Sequence, residues 1–195
     1  EELKKRAELA KEMGGIERIA KHYARGRLTV RERIDQLLDD DSFHETGEIT
    51  GKVSYDENGE IKEFVPANFV FGRGKLDGRE VVVAGDDFTV RGGAADARIG
   101  NKSLYSLKLA EHLRLPLVNL VDGSGGGGSV KTLETMGATY VPGLPSWQNI
   151  VRLLSMVPVV GACMGSVAGL GSARVVASHF SIMVKGSAQM FVAGP

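Results

Sequence analysis

The sequence predicts an α/β fold with largely parallel strands, and three observations carry that prediction. Short apolar runs alternate with segments of helical spacing, and each buried run gives way to a glycine-rich turn. The 26 glycines concentrate between Gly92 and Gly194. With 195 residues, 43% hydrophobic and 25% charged, the chain is long enough to bury one good core.

From Glu1 to about Tyr23, Leu3, Ala7, Ala10, Met13, Ile16, Ile19 and Ala20 recur at helical spacing, broken by Gly14-Gly15. Thr29 followed by Glu32 is a capping box that opens a helix over Val30, Ile34, Leu37 and Leu38, ended by Asp39 to Ser42. Arg25, Arg27, Arg31 and Arg33 read first as a solvated helical face, phosphate binding being the rarer meaning of such a cluster. Glu57-Asn58-Gly59 predicts a hairpin of Lys52–Tyr55 with Ile61–Phe64, and Asp77-Gly78 predicts a second. Val81–Ala84 and Phe88–Val90 read as buried strands, the latter closed by a turn at Arg91-Gly92-Gly93.

Ala94 to Leu113 carries Ile99, Leu104, Leu107, Leu109 and Ala110 as an amphipathic helix ended near Leu115-Pro116. The strand Leu117–Val121 runs into Asp122-Gly123-Ser124-Gly125-Gly126-Gly127-Gly128-Ser129. Its place after a buried strand favours a backbone nest over a flexible linker. Turn residues around Pro142 to Pro145 precede helical spacing in Trp147, Ile150, Val151 and Leu154. Last come an apolar run from Val157 to Val160, small residues from Gly161 to Gly165, a Gly169-Leu170-Gly171 turn and a segment that reads as a buried helix. On spacing alone, that turn fits tight strand–helix packing better than a backbone oxyanion site.

Side-chain chemistry is sparse. Four scattered histidines (His22, His44, His112, His179) and the single Cys163 show neither metal-ligand spacing nor a Cys/His pair, so a metal site is not expected. Ser124 lies outside any GxSxG elbow, and no GxxxxGK[ST] loop occurs. Lys plus Arg equals Asp plus Glu at 24 each, which gives no overall electrostatic case for nucleic acid or anionic membrane. No run approaches the ~20 apolar residues of a membrane span. The lone cysteine fits a reducing compartment. What recurs is buried strand, glycine turn and helix start, at Gly92-Gly93, Gly125 to Gly128 and Gly169 to Gly171. Such turns, lining one pocket, suit charge developing on a carbonyl oxygen, for which a thioester is a natural substrate.

These segments resemble the carboxyltransferase (β) subunit of biotin-dependent acyl-CoA carboxylases, of the propionyl-, methylcrotonyl- and acetyl-CoA carboxylase type, within the crotonase-like superfamily. ARGRLTVRERIDQLLDDDSF looks like that family's N-terminal signature, and GDDFTVRGG is similar to its DFTVxGG. Lys102 falls where the family has a helical lysine. VPVVGACMGSVAGLGSARVVASHFSIMV corresponds without gaps to the IPxxxxxxGPCAGGA segment, and GSAQMFVAGP to TSxMFxTGP. The resemblance implies a crotonase-like ββα superhelix over 46–195, preceded by a helical extension over 1–45. Together these make an N-terminal carboxyltransferase domain whose C-terminal counterpart is absent. The chain starts without methionine and stops just after an apolar run, which reads as a cut.

By the same resemblance, the acyl-CoA carbonyl lies against backbone amides at Gly169 and Leu170, with Gly171 completing the catalytic turn. Gly92, Gly93, Gly125, Gly126 and Lys102 bind substrate. Carboxybiotin, carried on a partner, supplies the carboxyl group, and no side-chain base is needed. Implied partners are acyl-CoA, a biotin carboxyl carrier, a biotin carboxylase and further copies of the chain, in the cytoplasm or, in a eukaryote, the mitochondrial matrix. Alternatives are an acyl-CoA decarboxylase or transcarboxylase subunit, and a non-catalytic acyl-CoA-binding or assembly subunit. Departures from the family pattern are Leu170 in place of a glycine, a loop from Asp122 to Gly128 that lacks the family's arginine, and a longer segment from Val130 to Trp147.

Overall fold

The computed structural model describes residues 1–94, 99–123, 133–134, 137–138 and 146–192. Helices α1 (Glu2–Lys11), α2 (Ile16–Tyr23) and α3 (Val30–Leu37) open the chain. The break between the first two falls at the paired glycines, where Gly14 N–H donates to Thr89 Oγ1 at 2.9 Å. The capping box of α3 is formed: Thr29 Oγ1 accepts from Glu32 N–H, and Glu32 Oε2 accepts from Thr29 N–H at 2.8 Å. Two donors left over at the helix start are thereby satisfied.

The strands are β1 (His44–Glu45), β2 (Gly51–Tyr55), β3 (Ile61–Pro66), β4 (Phe69–Leu76), β5 (Arg79–Asp86), β6 (Leu117–Val121), β7 (Val159–Cys163), β8 (Ser166–Ala168), β9 (Phe180–Met183) and β10 (Gln189–Phe191). Six of them form one sheet in the order β1-β4-β5-β6-β7-β9. Both hairpins form where their turn residues place them, β2 with β3 and β4 with β5. From β5 through β6 and β7 to β9 every pairing is parallel, as alternation of strands and helices requires. Helices α4 (Lys102–Leu113), α5 (Trp147–Leu154) and α6 (Leu170–Val176) carry the chain between these strands.

The two-residue period of the strands sorts the core. Phe69, Phe71, Val82 and Ala84 pack against Leu107 and Ala110 of α4 and Ile150 and Leu153 of α5. Val70, Val81 and Val83 face Val30 and Ile34 of α3. The N-terminal helices are therefore not a detached arm, because α3 covers one face of the sheet.

Three sequence expectations are corrected. Phe88–Val90 is a turn, not a strand: Asp87 Oδ1 accepts from Thr89 N–H at 2.9 Å and Thr89 Oγ1 at 2.6 Å, drawing the backbone out of the sheet. The helix expected from Ala94 begins at Lys102, with 95–98 outside the described residues. Gly161 lies in the middle of β7, where α6 comes so close that a Cβ would stand 2.6 Å from Val175 O. The arginine cluster is not a solvated face, since Arg33 and Arg31 turn inward onto carboxylates at 2.7 Å each. The outer edge strand β9 is exposed throughout, with Phe180, Ile182 and Met183 unburied.

Candidate functional site

The carboxyl ends of β5 and β6 and the start of α6 meet at three glycines. A Cβ on Gly93 would collide with Asp122 O, one on Gly123 would stand 2.6 Å from Gly93 O, and one on Gly171 would stand 2.7 Å from Gly123 O. Backbone therefore touches backbone through the whole stack, and no residue with a side chain fits at these positions. Two of the three turns expected to line one pocket, Gly92-Gly93 and Gly169–Gly171, are brought together by Gly123. Gly125 and Gly126 lie outside the described residues, as does most of the long segment after them.

At the α6 turn, Gly169 has φ 57° and ψ −120°, a conformation open to glycine alone. Its N–H is already spent, donating to Phe191 O of β10 at 3.1 Å. The next two amides, of Leu170 and Gly171, are first-turn donors that the helix itself leaves over, and neither has an acceptor among the described residues. Leu170 itself is half-buried.

Beneath the stack runs a chain of buried charges that sequence reading missed. Arg174 of α6 holds Asp86 through two bonds of 3.0 and 2.9 Å. Asp86 Oδ2 accepts from Asp122 N–H at 3.1 Å, and Asp122 Oδ2 accepts from Arg33 Nη1 at 2.7 Å. Burial pushes the Asp122 carboxyl above the ordinary carboxylate range, while the Arg33 guanidinium opposes it. Its other oxygen, Oδ1, is buried without a partner. The available signal was positional: both aspartates directly follow apolar strands, at the sheet end where α/β proteins build sites.

Lys102 is placed elsewhere. Its Nζ lies 3.1 Å from Glu45 Oε1, and it lines a separate pocket with Thr46, Thr50, Tyr105 and Lys108. Burial pushes its ammonium below the usual lysine range, against the pull of Glu45. Cys163 is buried, and burial pushes its thiol up, which makes it inert rather than nucleophilic. No group of three potential metal ligands occurs among the described residues, and no helix there is long and apolar enough to cross a membrane.

The carboxyl transferase domain family matches residues 21–195. The chain is 31% identical over 182 residues to methylmalonyl-CoA decarboxylase subunit alpha of Veillonella parvula, covering 93% of this chain and 35% of that protein. It is 33% identical over 196 residues to the biotin-dependent acetyl-/propionyl-coenzyme A carboxylase beta5 subunit of Mycobacterium tuberculosis, covering 100% of this chain and 34% of that one. Among solved structures, transcarboxylase 12S, crystallised as a hexamer with methylmalonyl-coenzyme A, matches with a TM-score of 0.74 at 27% identity over 100% of this chain and 37% of its own. The beta subunit of geranyl-CoA carboxylase from P. aeruginosa matches with a TM-score of 0.66 at 25% identity over 92% of this chain and 33% of its own. The chain thus spans about a third of the length of these relatives. On sequence and on fold, it belongs to the carboxyl transferase domain family, with the crotonase-like architecture of the carboxyltransferases.

Proposed function

We propose that this chain is the acyl-CoA half of a biotin-dependent carboxyltransferase, and that the amides of Leu170 and Gly171 hold the thioester oxygen as it becomes an enolate oxygen. The observation that carries the reading is the glycine stack, which puts leftover helix-start donors beside backbone that no side chain can obstruct. One such donor is worth about 2.7–4 kcal/mol in the transition state where measured. Carboxybiotin on a carrier protein supplies the carboxyl group. One helix start offers donors for one carbonyl oxygen, so the biotin ureido oxygen takes its donors from outside the described residues. Methylmalonyl-CoA decarboxylase subunits among the relatives favour a second reading, in which the same enolate forms by loss of carboxylate. The exposed apolar edge of β9 suits cover by another protein surface, in keeping with an oligomer.

The test is a pair of substitutions in the complete enzyme that carries this chain. Leu170→Pro removes the donor yet suits the first position of a helix, where proline is tolerated. It should lower kcat on acyl-CoA by about 10²–10³. Leu170→Gly keeps the donor and should leave kcat within a few-fold while shifting preference toward bulkier acyl groups. Proline without effect on kcat overturns the assignment.

A further inference from the structure

A cavity of about 490 Å³ opens between α4 and the segment that links β1 to β2. Its walls are mostly apolar, made by Phe71 of β4, the Tyr105 ring and Leu109 of α4, and Thr46 and Thr50 of the linking segment. The wall is shaped by backbone as well. Gly47 and Gly100 line the cavity in the left-handed region, with φ of 69° and 66°, and a Cβ on either would press on Thr50 at 3.1 Å. Two cations line it and, among the described residues, no carboxylate does. Lys102, 6% exposed, holds its ammonium 5.8 Å from the centre of the Phe71 ring and 3.1 Å from Glu45 Oε1. Lys108, at the exposed rim, lies over the Tyr105 ring at 5.6 Å. Their positive charge is only partly answered. Glu45 is shared between Lys102 and Arg31, the latter at 2.7 Å, and exposed Glu48 adds only the weakest of the influences on Lys102. Lys108 has no ion pair among the described residues.

We propose that this cavity binds a medium-chain fatty acid anion, its carboxylate paired with Lys108 at the rim and its chain laid against Phe71, Tyr105 and Leu109. The volume lies within the ~300–1,000 Å³ of small-molecule sites, and such sites pair apolar walls with a few polar groups that fix orientation. The division of the lining selects the ligand. Mostly apolar walls disfavour a strongly hydrated dianion, whose desolvation they could not repay with hydrogen bonds. A neutral chain would cover the two ammonium groups and leave them without a new partner. A single carboxylate on an apolar body answers both constraints, since one unpaired cation stands at the rim and the buried one lies behind it. None of the lining residues belongs to the glycine stack or to the Leu170 turn. The site is therefore distinct from that of the thioester and does not depend on the acyl-CoA reading.

The test is titration calorimetry on the complete protein that carries this chain, with octanoate, 1-octanol and inorganic phosphate as probes. Octanoate should bind saturably, one per chain, with a Kd below about 1 mM. Octanol and phosphate should each bind at least tenfold more weakly. Lys108→Glu should weaken octanoate at least tenfold while octanol holds within twofold, and Lys108→Arg should bind octanoate as the parent does. Tyr105→Ala should weaken octanoate and octanol alike. Both positions are exposed, so these variants spare the core. Saturating propionyl-CoA should leave the octanoate affinity within twofold. The absence of saturable octanoate binding overturns the inference, as does octanol binding as tightly as octanoate or Lys108→Glu without effect. One-for-one displacement of octanoate by propionyl-CoA also overturns it, because octanoate would then occupy the thioester's own site.

Discussion

Arg33 and Asp122 give the sharpest quantitative expectation. Their side chains are 6% and 0% exposed and lie 2.7 Å apart, and Asp122 Oδ1 is already without a partner. Arg33→Met keeps most of the apolar stem and removes only the cation, leaving a buried carboxylate without its hydrogen-bonded counter-charge and with only Arg27 as a nearby cation. Breaking such a pair costs about 3–5 kcal/mol. With a urea m-value of about 2 kcal/mol/M, the unfolding midpoint of this chain falls by about 1.5–2.5 M, read through Trp147, the only tryptophan. The pH dependence identifies the cause. Burial raises the folded pKa of Asp122 above its unfolded value, and without Arg33 only the weaker pull of Arg27 and His22 opposes it. The folded state then holds the proton more tightly than the unfolded one. Stability is lost as pH rises through the window between the two pKa values and is regained as pH falls through it. The deficit is therefore largest near pH 8 and shrinks toward pH 5, and adding Asp122→Asn recovers part of it at pH 8. An equal deficit at both pH values, or one under about 1 kcal/mol, refutes the reasoning.

Two smaller perturbations probe the frame around the site. Thr29→Ala deletes the capping box of α3 and should cost about 1 kcal/mol, a drop of about 2–4 °C in Tm by calorimetry. Gly93→Ala combines a φ of 63° with a Cβ driven into Asp122 O, while Gly59→Ala has a φ of 80° and open space around it. Strain alone costs about 1–3 kcal/mol at either position. The urea midpoint should therefore fall further for Gly93→Ala, and equal losses would show that the stack is not tight.

Local signals made most of the fold legible. Turn chemistry at Glu57-Asn58-Gly59 and Asp77-Gly78 fixed both hairpins, and the Thr29/Glu32 pair fixed the start of α3, because each acts within a few residues. Reading failed where a contact distant in sequence decided. Phe88–Val90 has strand-like residues, yet Asp87 captures the Thr89 amide, and Thr89 is wanted by Gly14. Arg33 looks like a surface arginine until Asp122, far along the chain, takes it. The glycine turns were visible one by one. Their mutual contact was not, because periodicity carries no information about which strand ends adjoin.

The glycine stack and the buried ion chain answer the same physical problem. Charge-stabilising groups that belong to the backbone cannot be aimed by choosing rotamers, so the main chain itself must be immobilised. Hydrophobic packing holds the strands, but at Gly92-Gly93 and at Gly123 there is no side chain to bury. The two aspartates take over there: Asp86 reaches α6 through Arg174 and the β6 end through the Asp122 amide, and Asp122 reaches α3 through Arg33. Helix, strand ends and helix start are thus tied across the gap that the glycines leave. Buried ion pairs add little net stability. Here they also fix the position of amides, so loss of Arg174 should move the Leu170 donor as well as weaken the fold.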